Sequence, residues 1–330
     1  MAFEKPVTRR SACALLGVGD ASLCLGGFAS ATGCAKDDDV IRIGTLATED
    51  MLPMWVAEQQ DAFAARGLSV EIVVFQSATE LIAGISSGAV ELAMTDPMVT
   101  AAIHISGVDV KIEWITLGTT AAQGRFGIMV GPQSNITSLS QLAGVGIGVG
   151  SNTILEYIMD KLLISAGVDE SRIVSVELQK LPVRYQAMMA GEVEAAALPG
   201  SLLALGLANG CRLIADDTQG ENLSQSVMIS RVDFSGTKEG EDKIALLKSV
   251  WNEAAAQINA SSDRYRPLLV QKANLNESIA DTYPVSEYPR CILPTNAMID
   301  PVLSWMKKKK YIKSDVFISY DETTGRFALR

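Results

Sequence analysis

Between residues 40 and 117, short apolar runs alternate with stretches whose apolar side chains recur at helical spacing. The apolar runs have the length and the β-branched content of strands, and the stretches between them predict helices. The predicted strands are residues 40–45, 70–75, 90–95 and 110–117. This alternation predicts a sheet whose strands are mostly parallel and are joined by right-handed crossovers.

The same alternation begins again after residue 125. An apolar strand over 126–130 predicts that the chain crosses there into a second lobe, which continues with strand 145–149 and helix 154–166. A single strand over 226–231 leads back, and most of the remaining chain carries helical patterns, including a helix over 266–282. We therefore predict a first lobe made of residues 40–125 and 232–330, and a second lobe made of residues 126–231.

One segment of the chain occurs twice. LSVEIVVFQSATELIAGISSGAVELAMTDP, which begins at Leu68, is echoed by IVSVELQKLPVRYQAMMAGEVEAAALPG, which begins at Ile173. Gly88 aligns with Gly191, an offset far longer than that of a solenoid repeat. Both copies run strand, loop, helix and strand, so the sequence predicts two similar α/β lobes. Such proteins usually bind a ligand in the crevice at the carboxyl ends of their strands.

The composition limits the classes of partner. The chain has 330 residues, of which 48% are apolar, and a formal net charge of −10. The apolar content suffices for two cores, and the acidic balance argues against binding to nucleic acid. The single histidine, His104, has no ligand set around it, so neither a metal nor another cofactor is predicted. We expect a monomer with free thiols at Cys211 and Cys291, and a solvated helix end at the basic run 307–310.

The first 34 residues resemble an export signal rather than part of the fold. The sequence TRRS, residues 8–11, precedes a short apolar stretch that ends before Cys34. This pattern looks like a twin-arginine signal joined to a lipoprotein cleavage site. The resemblance implies a lipid-modified Cys34 that anchors the protein to the membrane, outside the cytoplasm, through a tether of residues 35–39.

Polar side chains cluster at the predicted carboxyl ends of the strands and at the helix starts that follow them. Because these ends meet at the crevice, we predict that they bind the ligand. In the first lobe they are Thr45, Glu49, Asp50, Ser77, Thr95 and Asp96. In the second lobe and at the crossing they are Arg125, Ser151, Asn152, Thr153, Arg184 and Pro199. Trp55 and Tyr157 lie next to these loops and could stack on a flat ligand, although core packing is the more common role for any single aromatic side chain. Helix capping is the alternative role, above all for Asp50 and Asp96.

Four segments resemble the extracytoplasmic solute-binding proteins of ABC importers, in the branch that includes sulfonate, nitrate and thiamine-precursor binders. The segments are IRIGTL, LPMWVAEQQDAFAARGLSVEIVVFQSATELIAGISSGAVELAMTDP, ITSLSQLAGVGIGVGSNTILEYIMDKLLISAGVD and MAGEVEAAALPGSLLA. The resemblance implies the two-lobed periplasmic-binding-protein-like fold of type II. It also implies a small organic ligand, delivered to a membrane permease with its ATPase.

The charges at the predicted cleft bear on the ligand. The predicted cleft has three acidic residues, Glu49, Asp50 and Asp96, and two basic ones, Arg125 and Arg184. An unpaired carboxylate close to a bound anion is energetically costly. This balance favours an amine-bearing heterocycle, such as a thiamine-precursor pyrimidine whose amino group donates to Asp96, with an apolar wall from the second lobe. Three alternatives stay open: a binder of aliphatic sulfonates, taurine or nitrate; an enzyme of the same fold acting in pyrimidine or menaquinone synthesis; and a ligand-sensing module.

Overall fold

The computed structural model describes residues 39–124, 126–273 and 275–330. The predicted export signal, the tether up to residue 38 and the lipidation site Cys34 lie outside the described residues, as does the candidate ligand residue Arg125. Within the described ranges, no helix combines the length and the apolar character that crossing a membrane requires.

The first part of the chain alternates strands and helices. Its elements are β1 (Val40–Leu46), α1 (Leu52–Gln59), β2 (Ser69–Phe75), α2 (Ala78–Ser86), β3 (Leu92–Thr95), α3 (Pro97–Ile105) and β4 (Val110–Leu117). Ser77 begins α2 because its hydroxyl accepts a hydrogen bond from the Glu80 backbone N–H at 3.2 Å. Asp96 begins α3 in the same way. Asp50 instead lies in a 3-10 turn, Glu49–Met51, and does not cap α1.

The second part repeats this alternation. Its elements are β5 (Phe126–Val130), β6 (Gly146–Val149), α4 (Ile154–Ser165), β7 (Val174–Glu177), α5 (Leu181–Ala190), β8 (Ala195–Pro199), α6 (Gly200–Ala208) and β9 (Arg212–Asp216). Gly88, after α2, has a φ of +72°, and Gly191, after α5, has a φ of +74°. The two copies of the repeat therefore end their helices with the same left-handed residue, a conformation that glycine adopts without strain.

The last part is mostly helical. Its elements are β10 (Ser226–Arg231), α7 (Val232–Ser235), α8 (Lys238–Ala260), α9 (Ser262–Lys272), α10 (Glu277–Ala280), α11 (Asn296–Lys308), β11 (Ile318–Asp321) and β12 (Arg326–Leu329). The predicted helix 266–282 is therefore two shorter helices. The terminal hairpin of β11 and β12 was not predicted.

The strands form two sheets with a shared order. The first sheet runs β11-β12-β4-β10-β3-β1-β2 and the second runs β7-β6-β8-β5-β9. Without the terminal hairpin, the order β2-β1-β3-β10-β4 of the first sheet matches that of the second strand for strand. Among these five strands of each sheet, one is antiparallel to both of its neighbours, β10 in the first and β5 in the second. The sheets are thus mixed, which refines the predicted mostly parallel arrangement.

The position of β10 corrects one predicted boundary. Residues 226–231 were placed at the end of the second lobe, but β10 pairs with β3 and β4 in the first sheet, with Val227 opposite Thr95. The sequence of an apolar strand does not show which strands it will pair with. The chain has already returned to the first lobe when β10 begins. Each antiparallel strand is therefore the one that arrives from the other lobe.

Helices cover both faces of the first sheet. On one face α1, α8 and α9 form an apolar core in which the rings of Trp114 and Trp251 lie 5.8 Å apart. On the other face, side chains of α2, α3 and α11 continue into a core that includes α4 of the second lobe. A third core packs α5 and α6 on the second sheet. Cys211 lies in this third core and Cys291 packs against the first, so the two thiols are free, as expected.

Two chain segments cross between the lobes and are hydrogen-bonded to each other. Asp217 and Phe126 are joined twice: the Asp217 N–H donates to the Phe126 carbonyl at 3.0 Å, and the Phe126 N–H donates to the Asp217 carboxylate at 2.8 Å. The Asn222 amide donates to the Gly118 carbonyl at 2.8 Å. Gly118 has a φ of +92°, and a Cβ there would lie 1.9 Å from the Ser224 carbonyl oxygen. Only glycine fits this crossing point.

Candidate ligand-binding cleft

A cavity of ≈ 80 Å³, here called the inner cavity, lies between the lobes at the carboxyl ends of the strands. From the first lobe, the ends of β1 and β3, the 3-10 turn before α1 and the start of α3 contribute to its walls. From the second lobe come the starts of α4 and α5 and the end of β8. Six of the predicted ligand residues line it, namely Asp50, Thr95, Asp96, Thr153, Arg184 and Pro199.

Asp96 links the two lobes at this cavity. Its carboxylate accepts from the Val99 N–H at 2.9 Å and so caps α3. It also accepts from the backbone N–H of Ile154, the first residue of α4 in the second lobe. Burial nevertheless raises the pKa of Asp96 to about 6 and outweighs these hydrogen bonds. The position at the N-termini of two facing helices, where an anion is favoured, is therefore occupied by a protein carboxylate.

Asp50 is the second carboxyl group at the inner cavity. The Thr48 hydroxyl donates to it at 3.1 Å, and the Ser226 hydroxyl also contributes a hydrogen bond. Burial, reinforced by the neighbouring charge of Glu49, raises the pKa of Asp50 to about 7. Glu49 itself faces a small adjoining cavity and accepts from the Tyr283 hydroxyl at 2.8 Å. A donor brought by a ligand would relieve the cost of ionising Asp50.

Arg184 supplies the cation of the site. The side chain is almost fully buried, and its guanidinium donates to three backbone carbonyls, those of Leu178 at 2.8 Å, Ala197 at 2.9 Å and Gln179 at 3.3 Å. Burial lowers the pKa of Arg184 to about 10. Among the described residues, no carboxylate lies within ion-pair distance of it. Since a guanidinium has five N–H donors, two remain for a ligand acceptor.

Several predicted residues have structural roles instead. Trp55 packs in the core under α8, and Tyr157 packs edge-on against Trp305 at 5.6 Å, so both rings have the core-packing role that was the alternative to stacking on a ligand. Their helical spacing is as typical of core residues as of a binding face. The Ser77 hydroxyl caps α2, and the Thr45 hydroxyl donates to the Leu46 carbonyl at 2.9 Å. Neither lines the inner cavity.

The loop before α4 also differs from the prediction. The Ser151 hydroxyl bonds to Glu177, and the N–H of Asn152, a residue with a φ of +56°, donates to the Glu156 carboxylate at 2.8 Å. Only Thr153 of this loop reaches the inner cavity, and its hydroxyl donates to the Gly150 carbonyl at 2.6 Å. These three polar groups of the loop are therefore already bonded to other groups of the protein.

Sequence reasoning missed several lining residues. Ser226 was assigned to the wrong lobe, and Thr48 lies next to the chosen Glu49. Gln179 lies two residues after the end of β7, and this position near a strand end was the available signal. Leu155 and Leu181 give no such signal, because their apolar side chains look like ordinary helix core.

The described residues offer little for other chemistry. They contain no group of three or more histidine, cysteine and acidic side chains that could hold a metal ion. The thiols of Cys211 and Cys291 lie outside the inner cavity. What the cavity presents is two carboxyl groups, one guanidinium and several apolar side chains, an arrangement suited to hydrogen bonding and ion pairing with a small molecule.

The two sheets, their helices and the cleft between them define a two-lobed α/β protein of the periplasmic-binding-protein-like class. Residues 48–204, just under half of the chain, match the family described as NMT1/THI5 like. The match covers nearly every element that contributes to the inner cavity. No curated protein sequence matches the chain.

Solved structures share the fold at low sequence identity. The periplasmic aliphatic sulphonate binding protein SsuA from Escherichia coli is 17% identical, with a TM-score of 0.68 over 83% of this chain and 88% of its own. The periplasmic nitrate-binding protein NrtA from Synechocystis PCC 6803 is 12% identical, with a TM-score of 0.68 over 84% and 83%. The desulfurization enzyme DSZB is 15% identical, with a TM-score of 0.63 over 84% and 94%. The fold therefore occurs in binding proteins and in an enzyme.

Proposed function

We propose that the chain is an extracytoplasmic solute-binding protein that captures a small organic ligand in the inner cavity and delivers it to an ABC permease with its ATPase. The ligand carries an amine or amino-heterocycle, for which a thiamine-precursor pyrimidine is the reference compound. The observation that carries the proposal is the pair of buried carboxyl groups, Asp50 and Asp96, facing one cavity between two lobes.

The carboxyl groups favour an amine over an anion. A buried carboxyl with a raised pKa holds its proton because burial removes water from its charged form, so a ligand N–H donor or cation makes ionisation favourable. An anionic head group at the start of α3 and α4 would meet the Asp96 carboxylate, which already accepts from both helices. The free donors of Arg184 then suit an acceptor, such as a ring nitrogen or hydroxyl oxygen, elsewhere on the same ligand.

Arg184 supports one alternative. A buried guanidinium without an ion-pair partner among the described residues also suits a sulfonate or nitrate, and the solved relatives include binders named for these anions. Such a ligand would require Asp96 to stay protonated. It would therefore bind more weakly as the pH rises through about 6, whereas a ligand that remains cationic would bind more tightly.

The N-terminal sequence and the fold both support the proposed location. The twin-arginine pattern and Cys34 support export and lipid anchoring, which would hold the cleft next to a permease. Binding without turnover is the expected outcome, since the cavity offers no nucleophile activated by a base among the described residues. A sensory role would use the same capture step.

Calorimetric titration of the purified protein tests the proposal. The panel is 4-amino-5-hydroxymethyl-2-methylpyrimidine, taurine, an aliphatic sulfonate and nitrate. We expect the aminopyrimidine to bind and Asp96→Asn to weaken it by about 1.5–3 kcal/mol, roughly 10- to 100-fold, because the amide cannot accept as an anion.

Asp169→Asn is the matched control, since Asp169 also caps a helical turn through its carboxylate but lies outside the cleft. Asparagine preserves the cap at both positions, so a loss of affinity confined to Asp96→Asn reports on the ligand. Binding by sulfonate or nitrate alone would contradict the amine assignment. Conversion of the pyrimidine during the titration would contradict the transport role.

A further inference from the structure

The inner cavity adjoins a second and larger one. This outer cavity has a volume of ≈ 260 Å³ and shares four lining residues with the inner cavity: Leu46, Thr48, Leu181 and Pro199. Its walls come from both lobes, with Phe75 and Ala273 on one side and the helices α5 and α6 on the other. The two cavities are therefore neighbours in the cleft between the lobes.

The two cavities differ in chemistry. Asp50, Asp96 and Arg184 all line the inner cavity, whereas no acidic or basic side chain is among the described residues that line the outer one. Its apolar wall consists of Phe75, Tyr185, Leu202 and Leu205 together with the shared apolar residues, and its polar side chains, which are all neutral, are Thr48, Gln76, Gln186 and Ser201. The Tyr185 hydroxyl accepts from the Asn209 amide at 3.1 Å, so its polar end is satisfied by protein.

Three apolar side chains of the outer cavity are available to a ligand. Phe75, Leu202 and Leu205 are only half-buried as the structure stands. Covering them with a hydrocarbon group would remove apolar area from water on both partners, which favours binding.

We propose that the ligand has two parts: a polar head with the amine donor in the inner cavity, and an apolar tail of several carbon atoms in the outer cavity. The proposal rests on the proposed function for the head. Leu202 and Leu205, on α6, and Phe75, at the end of β2, are the specificity-determining residues for the tail. The substrate class is therefore an amphiphilic amine or amino-heterocycle rather than a compact polar solute.

A chain-length series tests the tail. The probes are 4-amino-2-methylpyrimidines with unbranched 5-alkyl groups from methyl to hexyl, titrated alongside n-alkylamines and n-alkylsulfonates of the same lengths. Since a buried methylene contributes about 0.8 kcal/mol, we expect Kd to fall roughly fourfold with each added methylene until the outer cavity is full, and then to level off.

Two variants locate the effect in the outer cavity. Leu205→Trp fills the cavity and should abolish the dependence on chain length, while the methyl compound keeps its affinity. Leu202→Ser makes the wall polar without adding bulk, so it should reduce the factor per methylene even if the tryptophan variant folds poorly. Leu207→Trp is the matched control, because Leu207 lies on the same helix but is 52% exposed and does not line the outer cavity.

The outcomes separate the two proposals. A Kd that is constant along a series whose methyl member binds would overturn the tail and leave the head assignment intact. A length dependence that survives both Leu205→Trp and Leu202→Ser would also overturn it. If no member of any series binds, both the proposed function and the tail are wrong. A length dependence on the sulfonate series alone would support the tail and overturn the amine head.

Discussion

Asp96 has two structural roles at the cleft. As the cap of α3 it is bound by its own helix, and through the Ile154 N–H it also holds the start of a helix in the other lobe. Its carboxylate is satisfied as an acceptor but remains buried, so its ionised form stays costly. A ligand that donates to Asp96 would therefore stabilise its ionised form, and it would add a contact at the point where the lobes meet.

This burial predicts a pH dependence of stability. The pKa of Asp96 is raised from 3.8 to about 6, so the folded state binds the proton more tightly than the unfolded state does. The stabilisation is complete below about pH 4 and is lost as the pH rises through about 6. Asp96→Asn removes this dependence and should make the ligand-free protein more stable at neutral pH by up to about 3 kcal/mol.

Urea unfolding of the wild type and Asp96→Asn between about pH 4 and pH 7 measures this difference directly. The gap between the two unfolding free energies should widen toward neutral pH. The comparison isolates Asp96, because Asp50 and Asp217 titrate in both proteins. A constant gap across the interval would show that Asp96 keeps an ordinary pKa.

At the scale of elements, α11 connects the lobes from behind the cleft. The helix packs on α3 of the first lobe, and the residues at its C-terminal end reach two buried carboxylates on α4 of the second. Lys309 lies 3.1 Å from Glu156 and 3.0 Å from Asp160. The Tyr311 hydroxyl donates to Glu156 at 2.8 Å, and the Trp305 indole N–H donates to Asp160 at 3.0 Å. The basic run 307–310 is therefore more than a solvated helix end.

The network predicts unequal effects of two adjacent lysines. Lys309→Met leaves Glu156 and Asp160 buried without their shared cation and should lower the free energy of unfolding by about 1–3 kcal/mol, allowing for the partial exposure of Lys309. Lys308→Met breaks an exposed ion pair with Glu170 and should change it by less than about 1 kcal/mol. Equal losses in urea titrations would mean that the shared cation contributes nothing beyond a surface charge.

At the scale of the whole molecule, the lobes are joined by two segments that bond to each other at Asp217 and Phe126. The Asp217 side chain is fully buried, and burial raises its pKa to about 6 despite the hydrogen bond that its carboxylate accepts from the Phe126 N–H. Because each segment is held by the other, the position of the second lobe depends on this pair of hydrogen bonds. The crossing is thus a defined joint rather than a loose linker.

Removal of the joint should be costly. Asp217→Ala leaves the Phe126 N–H without its acceptor and is expected to destabilise the protein by about 1–3 kcal/mol. Asp216→Ala, one residue earlier, removes only local bonds to Thr218 and should cost less than about 1 kcal/mol. Thermal and urea unfolding measure both, and similar losses at the two positions would contradict a role specific to the joint.

The sequence repeat predicts the two lobes and their cleft because it preserves what a lobe needs: strands, a helix and a left-handed glycine at Gly88 and Gly191. The partner of β10 was not predictable, since its apolar residues fit either sheet. The side chains of Trp55 and Tyr157 show the same ambiguity between core and ligand. The sequence shows that Arg184 carries a charge. Only the fold shows that its guanidinium donates to three backbone carbonyls and that the residue lines the inner cavity.

The second lobe is an uninterrupted length of chain between two points that touch, where the Gly118 carbonyl meets the Asn222 amide. It is therefore an insertion in the first lobe, whose own sheet is continuous across the insertion because β4 pairs with β10. Such an insertion could be replaced by that of a relative without changing the path of the chain in the first lobe. Recombination at this junction would carry Arg184, Leu202 and Leu205 together, while Asp50 and Asp96 stay behind. New ligands could then arise by pairing one acidic half-site with different partners.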